Sequence, residues 1–411
     1  MEIDKSTERI CEQLKTLSKF TATPGAGVTR FPFTKEAKAA SEYIKALMED
    51  AGLKVRMDNT GSVIGRLEGE IQDTIMTGSH LDSVQNGGAY DGIAGVVASI
   101  EAMRHFKEGG KRPYYSYEVI ATNDEEGSRF KSGLFTGKVM GGLISVDDIK
   151  HFKDSDGISV YEAMSDYGLK PNEIAEHKRD DIKAFLEVHI EQGPILENEK
   201  KDIGIVDVIV GIKRVIVTVT GRPDHIGTTP MDMRKDAVDV SAKVIAKIGD
   251  RARANYPAVS TVGNIVIEPN IVNIVPSCVR YTVDFRSTSA DVIQKLYSSM
   301  IEDLETYTKE ADMTYSVEET LWVDPVILND VMKCYIEDSC KDRGFSNMHI
   351  ISGAGHDAQV YGARIPSAMI FVPSHNGRSH CPEEYTDEKT LAMASFAAFD
   401  TLKRIDEERK F

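Results

Sequence analysis

Cysteine is scarce in this sequence. The five present (Cys11, Cys278, Cys334, Cys340 and Cys381) are odd in number and include no Cys-x-x-Cys pair. That usage excludes a disulfide framework and implies a reduced, cytoplasmic chain. Long apolar runs are also missing, so no segment is expected to span a bilayer. The start, Met1-Glu2-Ile3-Asp4-Lys5, has neither the basic region nor the apolar stretch of a secretion signal. Positive charge is in deficit, with 49 Lys and Arg against 65 Asp and Glu and a net charge of −16. Such a balance argues against nucleic acid as a partner and serves solubility. It also means that an anionic substrate needs a local cluster of Arg and His to overcome the background field. No internal repeat or low-complexity stretch is evident.

What is present is an ordinary globular composition, 41% hydrophobic and 28% charged. With 411 residues the chain is long for one core, so two domains are expected. Ile10, Leu14 and Leu17 fall at helical spacing within 4–20. Thr34 is placed to cap a second helix running to Gly52. The segment 55–64 alternates around Asn59-Thr60-Gly61, a hairpin signal. A short buried strand at 75–78, a helix at 91–106 and a strand at 117–122 follow. Strands alternating with helices predict an α/β fold with a largely parallel sheet.

The middle of the chain reads differently. Strand 214–220, helix 234–253, strands 263–267 and 279–285, helix 291–309 and strand 313–317 give the order β-α-β-β-α-β, the ferredoxin-like arrangement. The α/β pattern then resumes with strands 348–352 and 367–372 and a helix from Asp387. The expected architecture is therefore a discontinuous catalytic domain, 1–211 with 322–411, and an inserted α+β lid at 212–321.

Chemistry-bearing residues gather where strands give way to loops, the rim on which open α/β sheets place their sites. Thr77-Gly78-Ser79-His80-Leu81-Asp82-Ser83 ends one strand, and Gly87-Gly88-Ala89-Tyr90-Asp91-Gly92 opens the next helix. The His80-x-Asp82 spacing would let the Asp82 carboxylate hold the His80 imidazole. Glu125 and Glu126 end a strand, where adjacent carboxylates point apart, so one can bind metal while the other serves as a base. His189 ends the strand 185–188, and His380 lies in the loop after 370–372. Singly, each is better read as a cap, a surface charge or a hydrogen-bonded structural histidine. Five such groups on strand exits are harder to dismiss. Imidazole and carboxylate without thiolate suit zinc, manganese or cobalt. The set overfills one tetrahedral site and divides naturally between two ions sharing Asp91. Two ions about 3.5–4 Å apart can hold a water and lower its pKa, and Glu125 can move that water's proton to a leaving nitrogen.

In order along the chain, His-x-Asp, Gly-Gly-x-x-Asp-Gly, Glu125-Glu126-Gly127-Ser128-Arg129-Phe130, His189-Ile190-Glu191-Gln192-Gly193, His225-x-Gly-Thr-Thr-Pro-Met and Ser352-Gly-Ala-Gly-His-Asp-Ala resemble the M20-type metallohydrolases. The resemblance spans about Thr77 to Glu383 and is greatest to the ureido/carbamoyl amidase branch: N-carbamoyl-L-amino acid hydrolases, allantoate amidohydrolases and β-ureidopropionases. It implies a dinuclear-metal peptidase-like catalytic domain with an inserted ferredoxin-like lid and dimerisation domain. His80 and His189 would hold one divalent ion and Glu126 and His380 the other, with Asp91 between them and Glu125 as general base. Zn²⁺ or Mn²⁺ is implied, with Co²⁺ or Ni²⁺ as alternatives. Gln192, Asn273, Arg286, Gly355 and His356 would contact a small ureido or carboxylate substrate. His225 would polarise the scissile carbonyl in the partner subunit's site, which implies a homodimer. The implied reaction is cleavage of a linear ureido C–N bond with release of ammonia; the alternative is an aminoacylase or dipeptidase, against which His189 and Gln192 argue. Ile226 departs from the usual His-Ala-Gly. Arg378 also departs, and it either reads an extra substrate group or faces solvent, the second being preferred. Cys381 reads as a structural thiol, and His105, His151, His177 and His349 as surface or packing residues.

Overall fold

A computed structural model describes residues 2–411. The chain divides into two compact units, one made of the residues up to Asp207 together with Ile327–Phe411, the other of Val208–Val326. No helix among the described residues is long and apolar enough to cross a membrane, and the five cysteines are free thiols.

The first unit is built on a nine-stranded sheet. Its centre is parallel: Ser116–Thr122, Thr74–His80, Ile182–Ile190 and Ser367–Val372 lie side by side in that order. The hairpin Lys54–Met57 and Val63–Leu67 extends one side antiparallel, and Ile203–Ile209 joins the other side antiparallel. The central strands are buried on both faces and so read as near-continuous apolar runs. One face carries the helices Glu2–Leu17, Ile93–Glu108, Asp330–Arg343 and Glu388–Glu408. Ile10, Leu14, Val96, Ile100, Ile336, Leu391 and Phe396 from these helices form a single core with Ile75, Val119, Leu186 and Ile370 of the sheet. A smaller cluster around Phe33, Phe130, Phe135 and Met164 packs separately.

Most expected elements are present, with Thr34 capping its helix by accepting from the Ala37 amide. The strand expected at 75–78 runs on through Ser79 to His80. Its polar end hid it from an apolar pattern, because Ser79 is buried by bonding the Glu187 carboxylate rather than by being apolar. Three short helices, Phe135–Met140, Val146–His151 and Val160–Tyr167, also escaped hydrophobic periodicity. Two of them declare themselves by capping boxes instead, Ser145 with Asp148 and Ser159 with Glu162.

The second unit has the ferredoxin-like order. Its strands pair antiparallel in the sequence Thr314–Val323, Gly211–Thr220, Cys278–Ser287, Val259–Glu268. Val240, Val244 and Ile248 of helix Ala237–Arg253, with Ile293, Leu296 and Met300 of helix Ala290–Glu310, bury themselves against Val217, Tyr281 and Val283.

Candidate metal centre

The parallel strands deliver their C-terminal ends to one rim. His80 is the last residue of its strand and pairs in register with Thr122, just before Asp124-Glu125-Glu126. His189 is next to last in its own strand and lies opposite Phe371, whose strand leads to the loop carrying His380. Asp91 precedes helix Ile93–Glu108, and Gly92 makes this turn possible. Gly92 has φ of +64°, and a Cβ there would lie 2.3 Å from the His80 ring.

The side chains converge on Asp91. Its Oδ1 is 3.2 Å from His189 Nε2 and 3.7 Å from His80 Nε2, while its Oδ2 is 3.0 Å from His380 Nε2. The two imidazoles on the Oδ1 side approach each other at 3.3 Å, Nε2 to Nε2. On the Oδ2 side His380 Nε2 lies 3.4 Å from Glu126 Oε1. Among the described residues four groups could hold a cation, His80-Asp91-His189, Asp91-Glu126-His380, His80-Glu125-Glu126 and Glu187-His189-His356, and the first two are joined through the Asp91 carboxylate. Glu125 stands beside them, its Oε2 3.9 Å from His80 Nε2.

The donor chemistry fits divalent cations. His80 Nδ1 donates to the Asp82 carbonyl at 3.0 Å and His189 Nδ1 to the Ile190 carbonyl at 2.8 Å. In its neutral form each ring therefore turns an Nε2 lone pair toward Asp91. Asp91 Oδ1 and Glu126 Oε1 are buried without a hydrogen-bond partner. Two buried carboxylate oxygens without a partner are costly, and a cation shared with the neighbouring imidazole nitrogens would complete them.

Electrostatics in the ion-free cluster follow from burial and crowding. Burial lifts the Glu125 carboxyl well above its usual range, and its acidic neighbours Glu126, Asp357 and Asp82 add to this. Burial opposes charge on His80, but Glu125, Asp91 and Asp82 outweigh it and raise the imidazole well above its ordinary value. Hydrogen bonds to Asp91 and Glu126 raise His380 to about 10. His189 moves the other way, lowered chiefly by burial.

The bracing of His80 differs from expectation. The backbone carbonyl of Asp82 holds the ring, while its carboxylate, 4.0 Å from Nδ1, is committed elsewhere. Asp82 Oδ1 accepts from the Glu125 amide at 3.1 Å and Oδ2 from the Glu126 amide at 3.2 Å. Asp82 thus fixes the two glutamates, and only its backbone fixes the histidine. Two residues missed by sequence reasoning reinforce the same loops. The buried Arg30 guanidinium donates to the carbonyls of Leu81, Leu17 and Phe20. The buried Glu384 carboxylate accepts from the amides of Tyr90 and Asp91. Neither sits in a local motif with its partners; the surrounding glycines of 87–92 are the one visible signal.

Gln192 is brought in with the cluster. Its Nε2 lies 3.0 Å from Asp91 Oδ2 and 3.2 Å from His380 Nε2. His356 is enclosed rather than open to a pocket: its Nε2 pairs with Ser352 Oγ at 2.9 Å and its ring meets His189 edge-on. Gly355 beside it is half-buried. Arg378 is exposed and pairs with Glu383 at 3.0 Å, in keeping with the solvent-facing reading.

His225, Asn273 and Arg286 belong to the second unit. His225 Nδ1 accepts the Gly227 amide at 3.1 Å, so the neutral ring carries its proton on Nε2, a hydrogen-bond donor. The exposed His225 loop is tied to the Asn273 loop by the Ile226 amide and the Asn273 carbonyl, and Arg234 braces it by donating to Thr229 and Ile226 carbonyls. Arg286 pairs with Asp284 of its own strand, Nε to Oδ1 at 2.8 Å.

An α/β domain that presents imidazoles and carboxylates around a shared aspartate defines a hydrolase scaffold suited to divalent cations. The chain belongs to the family described as Peptidase family M20/M25/M40, which matches residues 76–403. It is 39% identical to an N-carbamoyl-L-amino-acid amidohydrolase of Paenarthrobacter aurescens, over 97% of this chain and 98% of that one. It is 36% identical to an allantoate amidohydrolase of Bacillus subtilis (strain 168), over 96% and 97% of the two chains. Among solved structures it resembles a hydantoinase/carbamoylase family amidase from Burkholderia multivorans, with a TM-score of 0.88, 30% identity and 97% of each chain covered.

Proposed function

We propose that this protein hydrolyses a linear ureido C–N bond in an N-carbamoyl-L-amino acid or allantoate type substrate. One water is consumed, the carbamoyl carbon leaves as carbon dioxide, and ammonia and the amine are released. The observation that carries the reading is the split carboxylate of Asp91, with one oxygen facing His80 and His189 and the other facing His380. Two divalent ions, Zn²⁺ or Mn²⁺ with Co²⁺ or Ni²⁺ as alternatives, would be held by His80 and His189 on one side and by Glu126 and His380 on the other, Asp91 serving both. Bound there, such ions lower the pKa of a water and polarise a carbonyl oxygen.

The chain's own residues supply the rest. Glu125, buried and readily protonated, takes the proton from the attacking water and returns it to the leaving nitrogen. Asp82 keeps Glu125 and Glu126 in place through their amides. Gln192 orients the substrate beside the cluster, and the buried His356 ring packs edge-on against His189. His225, with its proton on Nε2, donates to the developing oxyanion, and Asn273 and Arg286 receive the substrate carboxylate. These last three assignments rest on motif order, with His225 serving the site of a partner subunit in a homodimer. The exposed apolar Val259, Ile265 and Val266 on the edge strand Val259–Glu268 support self-association. The five free thiols accord with a cytoplasmic location.

An ammonia-release assay with added Zn²⁺ or Mn²⁺ tests the proposal across N-carbamoyl-L-amino acids, N-carbamoyl-β-alanine, allantoate and a dipeptide. Ammonia from a ureido substrate is expected, and cleavage of the dipeptide alone would overturn the reading in favour of the peptidase branch.

A further inference from the structure

Glu384 lies outside every group of residues assigned so far. It is 4% exposed, in the segment between His380 and helix Glu388–Glu408. Its oxygens are fully used by other parts of the protein. Oε1 accepts from the backbone amides of Tyr90 and Asp91, each at 2.9 Å, and Oε2 accepts from Ser379 Oγ at 2.7 Å. That hydroxyl also stands 3.4 Å from Asp91 Oδ2. One buried carboxylate therefore joins two loops nearly 300 residues apart in sequence, one ending at Asp91 and the other reaching His380. Committed in this way, Glu384 has no oxygen turned to the cation groups, and it belongs to none of them.

Gly88 supplies an independent sign that this reach is built in. A Cβ at Gly88 would lie 2.0 Å from Glu384 Oε1 and 2.4 Å from its Cβ. Glu384 can reach the Tyr90 and Asp91 amides only because position 88 has no side chain. The second glycine of Gly87-Gly88-x-x-Asp91 thus has a steric reason that the local turn does not require. Asp82 does the equivalent task on the opposite side, holding the amides of Glu125 and Glu126.

The geometry points to Glu384 as a positioning residue that sets the distance between Asp91 and His380, and so controls loading of the cation group they share with Glu126. The inference rests on the two-ion reading. Carboxylate-to-amide hydrogen bonds are strong and directional. Losing them would free the Asp91 backbone and the Ser379 side chain together, so that Asp91 Oδ2 and His380 Nε2 no longer meet at one point. Glu384 acts through these residues and touches no substrate.

Cobalt(II) titration of full-length protein by absorption spectroscopy, with chelator competition for affinity, tests this without turnover. Wild type is expected to take two equivalents. Glu384→Ala should weaken one of them by tenfold or more and alter its visible spectrum. Glu384→Gln, which keeps an acceptor for both amides, should stay within about threefold of wild type. Gly88→Ala should reproduce the Glu384→Ala defect, and the double variant should be no worse than either. Ser379→Ala removes one link only, so it remains informative if Glu384→Ala fails to fold, and it should weaken the same equivalent. A merely structural role would lower the thermal midpoint of the ion-free protein and leave both affinities and spectra unchanged, which would overturn the proposal alone. Wild type binding fewer than two ions would bring down the two-ion reading and this proposal with it. Glu383→Gln, which removes only the exposed pair with Arg378, serves as the control expected to match wild type.

Discussion

Asp91 divides its oxygens between two sets of nitrogens, and the protonation of those nitrogens governs what the cluster can hold. Without ions, the acidic neighbours raise His80, and hydrogen bonds to Asp91 and Glu126 raise His380 to about 10, so the ion-free cluster favours protonated rings. A ligating imidazole must shed that proton. Cation affinity should therefore rise with pH between 6 and 9, as each displaced proton adds up to one logarithmic unit per pH unit. Chelator competition at several pH values measures this, and a flat profile would contradict the assignment of both rings. Glu125→Gln should retain both ions yet lose turnover by about 10²–10⁴-fold, the usual worth of a positioned acid–base group; near-normal turnover would remove Glu125 from that role. At this scale the histidines and acids were legible because strand-end position and residue type sufficed to select them. Asp82 was assigned to the right neighbourhood and the wrong atoms, since sequence spacing cannot separate a side chain from its own carbonyl. Arg30 and Glu384 were not legible, because their partners are backbone groups, which carry no residue-specific signal.

Elements were readable wherever burial follows a period. The helices with one apolar face and the alternating strands of the second unit emerged with ends displaced by a few residues. Helices Val146–His151 and Val160–Tyr167 did not, being too short for a period to register and marked by their caps instead. Polar strand ends such as Ser79-His80 were cut short for the opposite reason: they are buried by hydrogen bonding within the site. Arg30 shows how elements are tied together. It joins carbonyls at the end of helix Glu2–Leu17 to the Leu81 carbonyl beside His80. Burial pulls the guanidinium down to about 10, against the attraction of Asp82. Arg30→Met would leave buried carbonyls unpaired, at about 1–3 kcal/mol for each left unsatisfied. Urea unfolding of the ion-free variant should show a loss of roughly 2–4 kcal/mol, whereas a change below ~0.5 kcal/mol would mean that water replaces the guanidinium.

For the whole molecule, the ferredoxin-like order of the second unit could be deduced because six elements alternate in an unmistakable sequence. The edge position of strand Val259–Glu268 was not, since only tertiary pairing decides which strand is left on the outside. Its exposed Val259, Ile265 and Val266 lie beside unpaired backbone groups. Light scattering coupled to size exclusion should report a dimer for the wild type. Ile265→Glu should shift it toward monomer with unchanged far-ultraviolet circular dichroism, and a wild-type monomer at micromolar concentration would refute the homodimer.

The rim of the main sheet gathers groups from residues 80, 91, 125, 126, 189 and 380, and the second unit occupies the chain between the last two. During synthesis His80, Asp91 and His189 emerge well before His380 and Glu384, with about 190 residues still to be translated. A nascent chain therefore owns one face of Asp91 long before the other exists. The sheet that carries these residues shares its core with the strand Ser367–Val372 and the helix Glu388–Glu408, so the cluster around Asp91 is complete only once they have followed, a late event in the life of the chain.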